Sequence, residues 1–140
     1  MSFSIRPARV SDAAALSALA RETFIDTYAA FNTPQDLNLH LERSYSPAQQ
    51  RFEIENVSML TIVAEHDGRL AAFAQGRFSP PPPCVTALLS PPQRPWEILR
   101  FYLQRDWHGR GLASALMDRA KQGAQAVQAD LFVSIHADAF

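Results

Sequence analysis

Cysteine occurs once in this chain, at Cys84, so no internal disulfide can form and no cysteine-based metal cluster is expected. No apolar run approaches the ~18 residues that a membrane-spanning helix needs. The first ten residues lack a cationic start followed by an apolar stretch, so no secretory signal is expected and a cytoplasmic location is the default. Neither sign of charge is in excess. Lys and Arg number 13 against 14 Asp and Glu, and a net charge of -1 gives no general attraction to nucleic acid or to an anionic membrane. Glycine is also scarce, at five residues in 140, which makes two glycines one residue apart, Gly109 and Gly111, conspicuous.

What is present is an ordinary globular composition, 47% hydrophobic and 19% charged, in a chain long enough for one domain over residues 1–140. Residues 3–8 read as a first strand. Ser11 then reads as a helix cap with Asp12 in the first turn, and apolar residues from Leu16 to Tyr28 recur at helical spacing to about Ala30. Thr33-Pro34-Gln35-Asp36 and Ser46-Pro47-Ala48-Gln49 repeat one device, a hydroxyl cap followed by proline, and start a second and a third helix. Residues 59–65 and 70–78 read as strands joined at Asp67-Gly68, a tight hairpin turn. Residues 79–95 carry seven of the ten prolines and read as a loop. Residues 96–103 form the next strand. After the glycines comes a helix with Leu112, Leu116, Ala120, Gly123 and Val127 on one face, and residues 130–136 close the chain as a strand. The order is β-α-α-α-β-β-β-α-β.

The stretch from Glu97 to Ala113 carries the chemistry. It reads as a strand, a turn nearly free of Cβ atoms, and a helix start. Backbone N–H groups at such a turn close on an anion, and the helix dipole favours negative charge there. Arg105 and Arg110 flank the turn. A phosphate-bearing ligand is the expectation; the plainer alternative is a simple helix entry. No Gly-Lys-Ser/Thr is present, so a P-loop does not fit. The turn follows a βββ run and is not expected inside a βαβ unit, so a Rossmann turn does not fit either.

Phe101-Tyr102-Leu103 followed by His108-Gly109-Arg110-Gly111-Leu112-Ala113 resembles the acetyl-CoA site of the GCN5-related N-acetyltransferases. That family's pattern is an aromatic-apolar strand and then (Arg/Gln)-Gly-x-Gly-x-(Gly/Ala). The opening Ile5-Arg6-Pro7-Ala8 through Asp12-Ala13 is also similar to the family's. Thr23-Phe24 with Asn32-Thr33-Pro34 and Asp36 looks like its polyamine-acetyltransferase branch. Two departures stand out. His108 replaces the usual Arg or Gln, and the likeness stops after the fifth strand. The family's later Asn-bearing turn and Tyr-bearing helix have no counterpart before Phe140.

The resemblance implies an α+β fold, layered α/β/α, with a mixed and mostly antiparallel sheet truncated after the fifth strand. It implies direct attack of an amine on the thioester of acetyl-CoA as cosubstrate. Glu97 would be the general base, directly or through a water. Tyr102 would take part or line the pocket, and the backbone N–H of Tyr102 or Leu103 would polarise the thioester carbonyl. The strand edge at Phe101, Tyr102 and Leu103 would pair with the pantetheine arm. The amides of Gly109, Arg110, Gly111, Leu112, Ala113 and Ser114 would hold the pyrophosphate, with Arg105, Arg110 and His108 as further contacts. The acceptor would be a small amine, a polyamine or a peptide amine. Glu22, Asp26 and Asp36 could attract its cation, against the plainer reading of solvated helix faces. His40, His66, His136 and Cys84 read as structural or exposed, and no metal is expected. The alternative function is a truncated or degenerate CoA-binding or interaction domain without turnover. An open final strand would then invite a second copy, giving a homodimer.

Overall fold

The computed structural model describes residues 2–80 and 93–134. Cys84, most of the proline loop, Ile135 and His136 lie outside the described residues. The elements follow the expected order: β1 (Ser4–Pro7), α1 (Ala13–Tyr28), α2 (Pro34–Tyr45), α3 (Pro47–Glu55), β2 (Met59–His66), β3 (Arg69–Phe78), β4 (Pro95–Leu103), α4 (Leu112–Ala126) and β5 (Leu131–Ser134). Strands β1 to β4 are antiparallel neighbours in sequence order, and β5 lies parallel to β4 at the end of the sheet. The fold is α+β with a mixed, mostly antiparallel sheet between two helical layers.

Local chemistry explains most of the boundaries. Thr33 Oγ1 accepts from the Asp36 N–H at 3.2 Å, and Ser46 Oγ accepts from the Gln49 N–H at 3.2 Å. Each cap satisfies a first-turn amide, and each is followed by a proline at the first helical position. Asp67 and Gly68 have φ of 51° and 75°, the left-handed pair that a two-residue hairpin turn requires. One start differs from expectation. Ser11 lies inside a short 3₁₀ turn, Val10–Asp12, and does not cap α1. The Asp12 carboxylate instead accepts from the Arg9 N–H at 2.7 Å and from Arg6 Nη1 and Nη2 at 2.8 and 3.0 Å. Arg6 also reaches Glu65, so one guanidinium ties β1 to both the α1 entry and β2.

Strand alternation sorts the two cores. On one face, Val63 and Phe73 meet Leu16, Leu19, Ala20, Leu41 and Tyr45 of the first two helices. On the other, Ile62, Ala72, Ala74, Ile98 and Phe101 meet Leu112, Leu116 and Ala120 of α4. The buried stripe of α4 continues to Ala124; Val127 lies beyond the helix end and is exposed, so the expected face is corrected there. Ala72, Ala74 and Gly76 form a small-residue row on β3, and the Trp96 ring lies across the last of them. A Cβ at Gly76 would fall 2.4 Å from Trp96 Nε1. Trp96 is 2% exposed, with Phe78 edge-on to it at 4.9 Å.

The parallel pairing of β4 and β5 makes β4-α4-β5 a βαβ unit, since parallel neighbours need a crossover and α4 supplies it. The glycine turn therefore sits inside such a unit, which corrects the sequence expectation. The order of elements alone did not reveal which strands would become neighbours.

Two predictions follow from these contacts. Gly76→Ala should lower the unfolding free energy by about 1–3 kcal/mol, the usual cost of overpacking. A denaturation curve unchanged from the parent would refute the close approach of Trp96. Arg6 holds the Asp12 carboxyl below its ordinary value of 3.8, chiefly by direct hydrogen bonding. A depressed carboxyl contributes stability above its unfolded pKa and loses it as pH falls. Asp12→Asn should thus cost about 1–2 kcal/mol at pH 7 and flatten the loss of stability below about pH 4. Parallel urea titrations at pH 7 and pH 3 provide the measurement.

Candidate functional site

The site is built on the second half of β4 and the turn that follows it. Among the described residues, pairing with β5 runs from Pro95–Leu131 to Ile98–Ser134, and pairing with β3 runs to Leu103. Between them the register shifts. Gln75 faces Arg100, but Gly76 faces Ile98, so Leu99 is the extra residue of a β-bulge. The start of the β4–β5 pair is clipped by Asp130, whose carboxylate accepts from the N–H groups of Gln93 and Arg94 at 2.7 and 2.9 Å.

Beyond the bulge, the ladder assigns directions to the backbone. The Gln104 N–H donates to Ala71 O at 2.9 Å, which makes that pair a hydrogen-bonded one. Alternation along an antiparallel ladder then points the N–H groups of Tyr102 and Arg100 at β3. Those of Phe101 and Leu103 point to the side away from β3. The ladder thus separates the two candidates for carbonyl polarisation. The Leu103 N–H faces away from β3, and the Tyr102 N–H is committed to the β3 ladder.

The chain then makes a 3₁₀ turn, Arg105–Trp107, and enters α4 through the two glycines. Gly109 and Gly111 have φ of 75° and 83°, and a Cβ at either would meet nothing within 4 Å. Their role is conformational: both hold a left-handed backbone that L side chains rarely adopt. Gly111 is the residue before the helix, and its carbonyl accepts the first helical bond, from the Ala115 N–H at 3.2 Å. By position, the N–H groups of Leu112, Ala113 and Ser114 have no acceptor within the helix. Below the turn, buried Trp107 anchors it edge-on to Phe3 at 5.9 Å and to His66 at 5.3 Å, with the Arg110 guanidinium 5.9 Å above the ring. His108 Nε2 lies 3.2 Å from Leu103 O, so its Nε2–H tautomer donates to the last carbonyl of β4. That ring braces the turn against the strand. Arg105 is exposed.

Two cavities adjoin this turn. One, of about 90 Å3, lies between α1 and the end of β4 and is bounded by Asp26, Thr27, Tyr102, Leu103, Arg105 and His108. The other, of about 460 Å3, starts at Ala113 and Ser114 and runs down α4 past Met117 to Lys121. Around Tyr102 the first two helices contribute aromatic rings. Phe24 stacks on His40 at 4.4 Å and packs on Tyr28 at 4.6 Å. Burial, above all, raises the Tyr102 hydroxyl above its ordinary pKa, and burial lowers the His40 imidazole below its own. Both groups are therefore neutral at pH 7.

Glu97 sits before the bulge, 34% exposed in its side chain, with Arg77 of β3 across from it at 3.9 Å. A pair so long and so open to water holds its carboxylate weakly. Sequence reasoning passed over Arg100 and Glu53, an ion pair on the α3 side of the bulge. The available signal was an arginine in the middle of an otherwise apolar-alternating strand. Among the described residues, no group of three or more His, Cys, Asp or Glu is placed to hold a metal, and no helix is long and apolar enough to cross a membrane.

Residues 19–139 match the model of the Acetyltransferase (GNAT) family. Among solved structures, the PaiA N-acetyltransferase of Thermoplasma acidophilum, in complex with coenzyme A, superposes with a TM-score of 0.80 at 21% identity, covering 99% of this chain and 82% of that one. A predicted acetyltransferase of Clostridium acetobutylicum with acetyl-CoA gives 0.71 at 20% identity, covering 98% and 82%. An aminoglycoside 6'-N-acetyltransferase of Acinetobacter baumannii gives 0.68 at 17% identity, covering 98% and 81%. At these identities the structural likenesses establish the fold.

The left-handed glycines make a measurable claim. Gly111→Ala should cost about 1–2 kcal/mol of stability from backbone conformation alone. Gly111→Asn should cost less, because Asn tolerates that region. Equal stability of Gly111→Ala and the parent in chemical denaturation would remove the constraint.

Proposed function

The chain belongs to the Acetyltransferase (GNAT) family, and from that premise we propose that it is an N-acetyltransferase that moves the acetyl group of acetyl-CoA to a primary amine. One observation supports this most. β4 bulges at Leu99, turns the Leu103 N–H away from β3, and runs through a short 3₁₀ turn into a left-handed glycine turn at a helix N-terminus. That arrangement would let the side of β4 away from β3 meet the amides of pantetheine and, next to it, backbone N–H groups meet a pyrophosphate. The spacing of the two features along one chain fits this cosubstrate better than a simple phosphate.

When bound, acetyl-CoA supplies an activated acyl carbon. In the proposed reaction the amine nitrogen bonds to that carbon, the C–S bond breaks, and the thiolate leaves. The protein's own groups divide the work. The Leu103 N–H stabilises charge on the carbonyl oxygen. The amides of Gly109 to Ser114 hold the pyrophosphate, and the trough beside Ser114, Met117 and Lys121 receives the adenosine end. Glu97, its carboxylate open to water, takes the amine's proton directly or through a water. Tyr102 forms the wall between α1 and the reacting strand. Glu53 is excluded as a base because both its oxygens are engaged by Arg100.

Within the amines, a small polyamine is the favoured acceptor. Asp26 borders the cavity beside Leu103, and Glu22, one turn earlier on α1, accepts from Gln104 Nε2 at 3.3 Å. Two carboxylates at that end of the strand favour a second cationic nitrogen over a neutral substituent. A peptide amine is the second choice. We also propose that the outer edge of β5, which has no strand partner among the described residues, can pair with a second copy.

Acetyl-CoA at millimolar concentration should raise the melting temperature; no shift would sink the cosubstrate assignment. Thiol release across a panel of diamines, monoamines and peptides should be fastest with a diamine or polyamine. Glu97→Gln should then cut the rate about 10²- to 10⁴-fold, the usual worth of a general base, while leaving the thermal shift by coenzyme A unchanged. An unchanged rate would remove Glu97 from the mechanism.

A further inference from the structure

Between α3 and the centre of the sheet lies a chain of buried polar side chains. Glu53 is 4% exposed and gives both carboxylate oxygens to Arg100 Nη1, whose side chain is 15% exposed. The same Nη1 donates to Gln75 Oε1 at 2.7 Å. Gln75 Nε2 donates to Gln50 Oε1 at 3.3 Å and to Thr61 Oγ1 at 3.4 Å, and Gln50 Nε2 donates to Ser44 O at 2.8 Å. The Tyr45 ring lies 4.9 Å from the Arg100 guanidinium. Gln50 and Gln75 are fully buried.

A buried ion pair is a poor device for stability, because desolvation offsets its attraction and an apolar pair often serves as well. Its position suggests what it is for. Along β4, Gly76–Ile98 is the last regular pair before the bulge, and Gln75–Arg100 is the first after it. The network grips the bulge from the α3 face, and Trp96, lying over Gly76, closes it from the α4 face. Without such grips a bulge can slip along its strand. A slip of one residue exchanges the directions of neighbouring N–H groups and turns opposite faces inward. Tyr102 would then turn its N–H away from β3, and Leu103 would turn its own toward β3.

We propose that Glu53, Arg100, Gln75 and Gln50 act as a register lock that positions the 100–103 segment of β4 for acetyl-CoA. The four residues are positioning residues. They act through the strand, and they make α3 part of the site without contact with the cosubstrate. The inference rests on the acetyl-CoA reading for its consequence and on the described geometry for its mechanism.

The test replaces the whole pair, Glu53→Met with Arg100→Met, so that no charge is left buried alone. Two readouts are taken on the intact chain. In the unliganded protein, the amides of Arg100 and Tyr102, which donate to β3, should exchange with solvent about tenfold faster or more, while β2–β3 amides and the unfolding midpoint stay near the parent's. Affinity for coenzyme A, by calorimetry, should fall about tenfold to a hundredfold. Parental exchange at Arg100 and Tyr102 would overturn the lock. Faster exchange with parental affinity would overturn its role in positioning. If the parent itself binds no coenzyme A, the acetyl-CoA reading fails and the positioning role fails with it, whereas the exchange result still decides whether the network fixes the strand. Should the double variant not fold, Arg100→Lys is read the same way. The Lys ammonium ends about one bond short of Nη1, so it holds Glu53 and Gln75 less closely, and the same two changes are expected at about threefold or more. No change in either readout would overturn the proposal.

Discussion

An extra residue in one strand of a ladder redirects every residue that follows it. β4 carries that residue at Leu99, between Ile98, which faces Gly76, and Arg100, which faces Gln75. The rest of the functional architecture depends on that bulge. It fixes which backbone N–H groups of residues 100–103 face β3 and which face away, just ahead of the turn into α4. The ladder with β3 nevertheless continues to Leu103.

Both faces of the sheet contribute to holding the bulge in place, by different chemistry. On the α4 face the control is steric: absent side chains at Gly76 and along the alanines of β3 let Trp96 and the helix approach. On the α3 face it is directional: a guanidinium and two carboxamides satisfy one another at fixed angles. Close packing tolerates some sliding, whereas hydrogen bonds select one register. The start of the β4–β5 pair is fastened by Asp130 to the backbone of Gln93 and Arg94.

Much of this was legible in the sequence, wherever the cause is local. Thr33-Pro34 and Ser46-Pro47 announce helix starts because cap, proline and free amide lie within four residues. Asp67-Gly68 announces its hairpin for the same reason, and Gly109 and Gly111 announce a turn nearly free of Cβ atoms at the start of α4. What escaped depends on partners far along the chain. Ser11 looked like a cap, yet Asp12 is claimed by Arg6 from another strand. The βαβ placement of the turn was hidden because β5 could have paired elsewhere. The bulge at Leu99 leaves no trace in residue types, since Ile98, Leu99 and Phe101 are all apolar. The Glu53–Arg100 pair joins residues 47 positions apart, so Arg100 stood out in its strand without revealing its partner. Of the site, the turn and the strand could be read directly, and the framework that aims them could not.

The row Ala72, Ala74 and Gly76 has a further meaning for how such a protein can vary. Its alanines set the height of α4 above the sheet, and the first turn of α4 carries the N–H groups proposed to hold the pyrophosphate. Those three positions therefore work as a spacer of fixed thickness beneath the site. A methyl group added there would lift the platform on which the turn stands. In a survey of tolerated substitutions, such positions would look like ligand contacts while lying a full layer of protein away from any ligand.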